Sequence, residues 1–278
     1  MAEVIAHSGH LRDTLVHVED TGGSGRPVVL LHGWPLSSAS WVNQISALEA
    51  DGFRVVAYDR RGFGRSDKPS SGYDYDTLAS DLDGVISELD LDDLTLVGFS
   101  MGGGEVARYV TKFGVNRLRS VVFASAVPPY MSQTCENPDG PLTKDQAAEM
   151  TKNLTDDAAS FFENLTKQFF SVDGDLKVAE QQRQEALALC RLADRHAALA
   201  CLESFGSTDF RDDLPNVTIP TLVIHGDGDA TVPFAGSGQR THTAIPQSDL
   251  VVLNGAPHGC NVSHAAEFNQ ALLEFLRA

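Results

Sequence analysis

Ser100 stands in the run Leu94-Thr95-Leu96-Val97-Gly98-Phe99-Ser100-Met101-Gly102. A serine at this place, between an apolar β-run and a helical run, is thrust out above the end of the strand. Gly98 and Gly102 remove the Cβ atoms that so sharp a turn would crowd. The following helix offers free N–H groups and the positive end of its dipole, which suit an oxyanion forming beside the hydroxyl. The chemistry this permits is nucleophilic acyl transfer. The five-residue G-x-S-x-G pattern is weak alone; the strand before it and the helix after it give it weight.

Serine attacks only when a base takes its proton. The chain has nine histidines. His258, in Gly255-Ala256-Pro257-His258-Gly259, follows the last β-run and precedes the last helix, the kind of loop in which an α/β sheet gathers a site. His32 and His225 end β-runs and read as buried packing residues with satisfied hydrogen bonds. His7, His10 and His17 lie too near the N-terminus, His196 is in a helical region, and His264 opens the last helix. The imidazole also needs an orienting carboxylate. Asp227 and Asp229 both follow the penultimate β-run. Asp227 is nearer the strand and suits the turn; Asp229 lies further out, toward the histidine loop, and is the favoured partner.

An oxyanion also needs donors. The backbone N–H groups of Met101 and of Trp34, in His32-Gly33-Trp34-Pro35, are the expected pair. Pro35 has no N–H and pushes Trp34 toward an extended backbone. A substrate pocket is expected around Trp34, Pro35, Phe99, Val127, Phe162, Phe205 and Val232.

These residues need a scaffold. Nearly continuous apolar runs at 28–31, 54–58, 94–99, 120–124, 221–224 and 250–253 suit strands buried on both faces of a largely parallel sheet. Helical patterns separate most of them, with Leu78, Leu82, Val85, Ile86 and Leu89 on one face and Phe268, Leu272, Leu273 and Leu276 on another. The alternation predicts a doubly wound α/β fold. Leu15 to Val18 and the Gly22-Gly23-Ser24-Gly25 turn suggest a leading hairpin. The alternation stops between about Pro129 and Pro215. A helical cap is expected there (129–215), inserted between core segments 1–128 and 216–278. Its cluster of Phe161, Phe162, Leu165, Phe169 and Phe170 suits packing against the core, with some rings lining a pocket.

The 278 residues carry a formal net charge of −17, which repels nucleic acid and anionic membranes, and Arg60, Arg61 and Arg65 are too few for a basic face. Cys135, Cys190, Cys201 and Cys260 have neither CxxC nor metal-ligand spacing and read as free thiols of a reducing compartment. The N-terminus lacks the pattern of a secretory leader, and no apolar run approaches the roughly 20 residues of a membrane span.

The chain resembles the cofactor-free (non-haem) haloperoxidase, perhydrolase and aryl esterase family of bacterial α/β-hydrolases. The likeness spans nearly the whole chain through LLHGWPL, YDRRGFGRSDKP, GYDYDTLASDL, LVGFSMGGGEVARYV, STDFRDDLP, VIHGDGD and GAPHG, and is least clear from Cys135 to Leu202. It implies an α/β-hydrolase fold, a Ser100–Asp229–His258 triad in the chain order usual for that fold, and no metal or haem. It implies a small ester or carboxylic acid as substrate, with water or hydrogen peroxide as second acceptor. Peroxide attack gives a peracid that oxidises halide in free solution. Haloperoxidase-like members carry a proline after the oxyanion aromatic residue, as Pro35 does. A cytoplasmic homo-oligomer is expected. The same triad could serve a lactonase, a γ-lactamase or a carbon–carbon bond hydrolase, and a small-molecule receptor could be built on the same fold. Epoxide hydrolase and dehalogenase chemistry places an aspartate where Ser100 stands.

Overall fold

In the computed structural model, which describes residues 2–6 and 14–278, the described residues form ten strands and ten α-helices. His7 and His10 lie outside the described residues. In chain order the first part holds β1 (Ala2–Ala6), β2 (Thr14–Asp20), β3 (Pro27–Leu31), α1 (Val42–Ala50), β4 (Arg54–Tyr58), α2 (Tyr75–Glu88), β5 (Leu94–Phe99), α3 (Met101–Phe113) and β6 (Leu118–Ala124). Four helices follow: α4 (Lys144–Asp156), α5 (Ala158–Phe169), α6 (Glu180–Cys190) and α7 (Arg195–Ser207). A short hairpin of β7 (Ser171–Val172) and β8 (Asp175–Leu176) lies among them. The chain then returns through β9 (Thr221–Gly226), α8 (Gly238–Ala244), β10 (Ser248–Leu253), α9 (Cys260–Ser263) and α10 (Ala265–Arg277).

Eight strands make one sheet in the order β1-β2-β4-β3-β5-β6-β9-β10. From β4 to β10 every neighbouring pair is parallel; β2 runs antiparallel to both β1 and β4. Val28, Val29, Leu30 and Leu31 have no exposed surface, as expected of a central strand covered on both faces. α2 packs with α3 and α1 packs with α10, each pair presenting an apolar stripe. In α2 the stripe is Leu78, Leu82, Val85 and Ile86, all buried, and the helix starts where Asp74 accepts a hydrogen bond from the Thr77 amide. In α10 the buried stripe is Phe268, Leu272 and Leu276. No described helix is long and apolar enough to cross a membrane.

The hairpin expectation needs correcting. The glycine-rich turn at 22–25 leads from β2 to β3, which are not neighbours, because β4 lies between them. The antiparallel partner of β2 at the sheet edge is β1.

The four helices between β6 and β9 are tied down over the ends of the central strands. The Trp34 indole N–H donates to the Ala198 carbonyl at 3.0 Å, the Ser204 hydroxyl donates to the Tyr73 carbonyl at 2.7 Å, and the Gly259 amide donates to the Phe169 carbonyl at 2.8 Å. Beneath them Arg60 and Glu105 form a fully buried ion pair, with Glu105 also accepting from the Tyr58 hydroxyl. This network satisfies the charges in place, since either one left alone would carry a heavy desolvation cost.

Candidate active site

Ser100 joins β5 to α3 with φ 54° and ψ −118°. Few non-glycine residues hold a positive φ, and such strain costs on the order of 1–3 kcal/mol. Close backbone packing maintains it. The Ser100 amide donates to the Ala124 carbonyl, and the Ser100 carbonyl accepts from the amides of Gly103 and Val127. A Cβ on Gly98 would lie 2.5 Å from the Gly102 carbonyl oxygen, and one on Gly102 would lie 2.5 Å from that of Leu31. Both obstacles are backbone and cannot swing aside. Gly102→Ala is therefore expected to force the elbow open and to destabilise by roughly 2–3 kcal/mol, the scale of core overpacking. Thermal unfolding measures this as a fall in Tm of about 5 °C or more; an unchanged Tm would mean that the turn is looser than its contacts imply.

The Ser100 hydroxyl lies 3.0 Å from Nε2 of His258, and Nδ1 of His258 lies 2.6 Å from Oδ2 of Asp229. Three loops at the carboxyl ends of β5, β9 and β10 thus bring one hydroxyl, one imidazole and one carboxylate into line. His258 has no exposed surface. Its ring is held between Phe99, centroid distance 5.1 Å, and Phe169, at 4.6 Å and nearly perpendicular. The other Asp229 oxygen accepts from the amides of Thr231 and Val232 at 2.9 and 2.7 Å. Burial pushes the Asp229 carboxyl up. The His258 charge and the hydrogen bonds from His225 and His258 outweigh burial and hold it at about 2. Asp229 is thus ionised at any ordinary assay pH. Asp227 serves elsewhere: its Oδ1 accepts from the Gly255 amide at 2.6 Å, pinning the loop that leads to His258.

The remaining histidines separate clearly. His32 is buried and doubly bonded, to the Gly33 carbonyl and from the Arg60 amide, and burial together with the Arg60 charge lowers its imidazole to about 3. His196 and His264 bond to the Ser70 carbonyl and the Ser263 hydroxyl. His225 departs from the sequence expectation. Only Nε2 has partners, the Val232 carbonyl at 2.8 Å and Oδ2 of Asp229 at 3.3 Å; Nδ1 has none.

Two backbone amides near the elbow have no acceptor among the described residues. Met101 opens α3, where the first N–H groups have no intrahelical acceptor. Among the described residues, neither its amide nor that of Trp34 donates to a protein group.

A cavity of about 40 Å³ opens on Ser100 and His258; of the residues expected around a pocket, Trp34, Val127, Phe205 and Val232 line it. Leu142, Leu165, Phe169, Met131, Met150 and Thr231 complete the wall. Pro35, Phe99 and Phe162 are not on it. Pro35 is buried in the turn closed by the Leu36 amide on the Gly33 carbonyl. Phe99 is fully buried behind the imidazole, against Trp41 and Phe169. Phe162 points away because neighbours on a helix diverge by about 100°; Phe161 is the one that faces Trp34. The inner cavity shares Met131, Leu142, Met150, Leu165 and Thr231 with an outer one of about 560 Å³ between α4, α5 and the 230–233 turn, lined also by Gln146, Glu149, Asn153, Asn164 and Gln168. No aspect of the sequence pattern singles out the inner-wall methionines or Leu142, whose places depend on how the inserted helices lie.

With the elbow, the relay of hydrogen bonds and the sheet order in hand, the class is defined: residues 26–265 match the family described as alpha/beta hydrolase fold, and the chain belongs to it. Within that family it belongs with the non-haem haloperoxidases. It is 42% identical over 258 residues to a non-heme chloroperoxidase of Kitasatospora aureofaciens, spanning 91% of this chain and 93% of that protein. A bifunctional esterase/perhydrolase of Acinetobacter calcoaceticus is 34% identical over 266 residues, 95% of this chain and 96% of the other. The crystal structure of a bromoperoxidase from Bacillus anthracis superposes with a TM-score of 0.95 at 46% identity, covering 100% of both chains.

Proposed function

We propose that this chain is a serine hydrolase of small carboxylic esters with perhydrolase activity, in which Ser100, His258 and Asp229 form the catalytic triad. The observation that carries the reading is the unbroken relay from the Ser100 hydroxyl through His258 to Asp229, at 3.0 and 2.6 Å, opening on an apolar cavity. The esterase/perhydrolase and chloroperoxidase relatives support it.

In this reading His258 Nε2 takes the Ser100 proton as the hydroxyl oxygen attacks the ester carbonyl. Asp229 holds Nδ1–H and stabilises the imidazolium. The Trp34 and Met101 amides receive the oxyanion; losing one such donor costs on the order of 100–1,000-fold in turnover. His258 then protonates the departing alcohol, leaving an acyl-Ser100 ester. Water or hydrogen peroxide, deprotonated by His258, attacks that ester, so that the acid or the peracid leaves and the proton returns to Ser100. Residues 129–215 act as the cap in this reading, closing the site between core segments 1–128 and 216–278. A cytoplasmic homo-oligomer belongs to the same reading and rests on likeness to the family.

The inner cavity limits the acyl group. A water-sized group needs about 10–15 Å³ of such space, so about 40 Å³ accommodates ~3 heavy atoms. The larger outer cavity takes the alcohol. Across a series of 4-nitrophenyl esters, kcat/KM is expected to fall at least about tenfold, or 1.4 kcal/mol, between propionyl and hexanoyl. A flat profile would move the acyl group to the outer cavity. The overall reading is tested by an ester panel run with and without hydrogen peroxide, following acid and peracid separately. Acid release without peroxide and peracid release with it are expected. Tight binding of the esters with no turnover would instead favour a receptor.

A further inference from the structure

His225 ends β9 with no exposed surface. Its Nε2 lies 2.8 Å from the Val232 carbonyl oxygen and 3.3 Å from Oδ2 of Asp229. Both neighbours are acceptors, so the ring serves them only as an N–H donor, and its proton sits on Nε2. On the other side Nδ1 has no hydrogen-bond partner. It faces Gly238 of α8 so closely that a Cβ there would stand 2.5 Å away. The Phe234 ring covers the imidazole at 5.6 Å. Nδ1 meets no acceptor, so the imidazole serves here as a single donor through Nε2. Few alternatives could share its task. The titratable groups around Asp229 are His225, His258 and the Cys260 thiol, which burial pushes up to about 12 and so keeps neutral. Of the charged or titratable side chains of α8, Arg240 turns to Asn137 and the Gly236 carbonyl and His242 to the Ser248 hydroxyl.

We propose that His225 is a positioning residue for the Ser100–His258–Asp229 relay: its single N–H spans Asp229 Oδ2 and the Val232 carbonyl and sets how strongly Asp229 pulls on His258. Oδ2 is the same oxygen that His258 Nδ1 binds at 2.6 Å. A second donor on that oxygen tempers its negative charge and keeps the imidazolium from being over-stabilised, which a general base returning its proton each cycle requires. The bond to Val232 also ties the turn in which Thr231 and Val232 line the acyl cavity. The inference rests on the triad reading.

The test compares wild type with His225→Leu, which removes the donor, and His225→Gln, whose amide N–H can reach the same oxygens. For His225→Leu, kcat is expected to fall about tenfold. The acid limb of its kcat/KM profile is expected to move to higher pH by about 0.5–1 unit, because the unshared carboxylate holds the proton on its partner longer. His225→Gln is expected to restore the wild-type limb. A His225→Leu profile that overlays wild type, or a His225→Gln profile displaced as far as His225→Leu, overturns the proposal. Should His225→Leu fail to fold, the nitrogen-15 resonances of wild-type His225 decide. A proton on Nε2 and a bare Nδ1 are expected, as the two acceptors facing Nε2 require, and the opposite tautomer overturns it. The two readings fail separately. Activity retained in Ser100→Ala removes the triad, whereas an inactive Ser100→Ala beside an unshifted His225→Leu removes the role of His225 alone.

Discussion

Ser100→Ala is expected to lower kcat for a short-chain aryl ester by about 10⁶-fold, the scale seen when a serine nucleophile is removed from such a triad. Only one oxygen is lost. The backbone of the elbow is held by the Ala124, Gly103 and Val127 hydrogen bonds, none of which uses the hydroxyl. The fold is therefore expected to survive. The loss leaves His258 Nε2 without its partner in a fully buried setting, at about 1–3 kcal/mol. Tm is expected to fall by no more than roughly 5 °C. Residual activity from the two amides and from binding alone is expected to remain about 10³–10⁴-fold above water. A folded variant retaining even about one per cent of wild-type turnover, a loss of only ~2.7 kcal/mol in transition-state stabilisation, would remove Ser100 as nucleophile.

Asp229→Asn is the second large effect. The substitution keeps the shape, but an amide NH₂ cannot replace Oδ2 as acceptor for both His258 and His225. If the amide instead donates to Nδ1, the proton of His258 moves to Nε2, and the imidazole can no longer take one from Ser100. Turnover is expected to fall about 10⁴-fold. Asp227→Asn is expected to cost less than about tenfold, because its side-chain oxygen can still accept from Gly255. Measuring turnover and thermal stability for both variants separates the roles. A folded but inactive Asp227→Asn beside a working Asp229→Asn would reverse them. The wild-type sign with pH follows from the depressed Asp229 carboxyl. Its contribution to stability is full above the range of an unfolded aspartate and is lost as pH falls toward about 2.

Much of this was legible in the chain because it is local. The elbow needs Gly98, Ser100 and Gly102 within five residues, and buried parallel strands leave unbroken apolar runs such as Val28 to Leu31. The choice of Asp229 over Asp227 followed from distance along one loop. What escaped depends on distant partners. The strand that separates β2 from β3 is β4, more than twenty residues further on, so a turn signal at Gly22-Gly23 could not reveal it. Phe161 and Phe162 are alike in sequence, and only the phase of α5 decides which ring meets Trp34. Phe99 lies behind the imidazole because β5 carries it into the core beside Trp41. The unsatisfied nitrogen of His225 needed Gly238, which arrives from α8, to make itself known.

The most direct measurement is covalent labelling. Wild type and Ser100→Ala are treated with an aryl dialkyl phosphate, which phosphorylates an activated serine and releases a phenol. Intact mass, peptide mapping and residual activity are then read together. One dialkylphosphoryl group per chain, on the peptide that carries Ser100, with loss of activity in proportion and no labelling of Ser100→Ala, is the expected result. A label on another residue that abolishes activity, or a fully labelled Ser100 in an enzyme that still turns over ester, would contradict the assignment of Ser100 as the nucleophile.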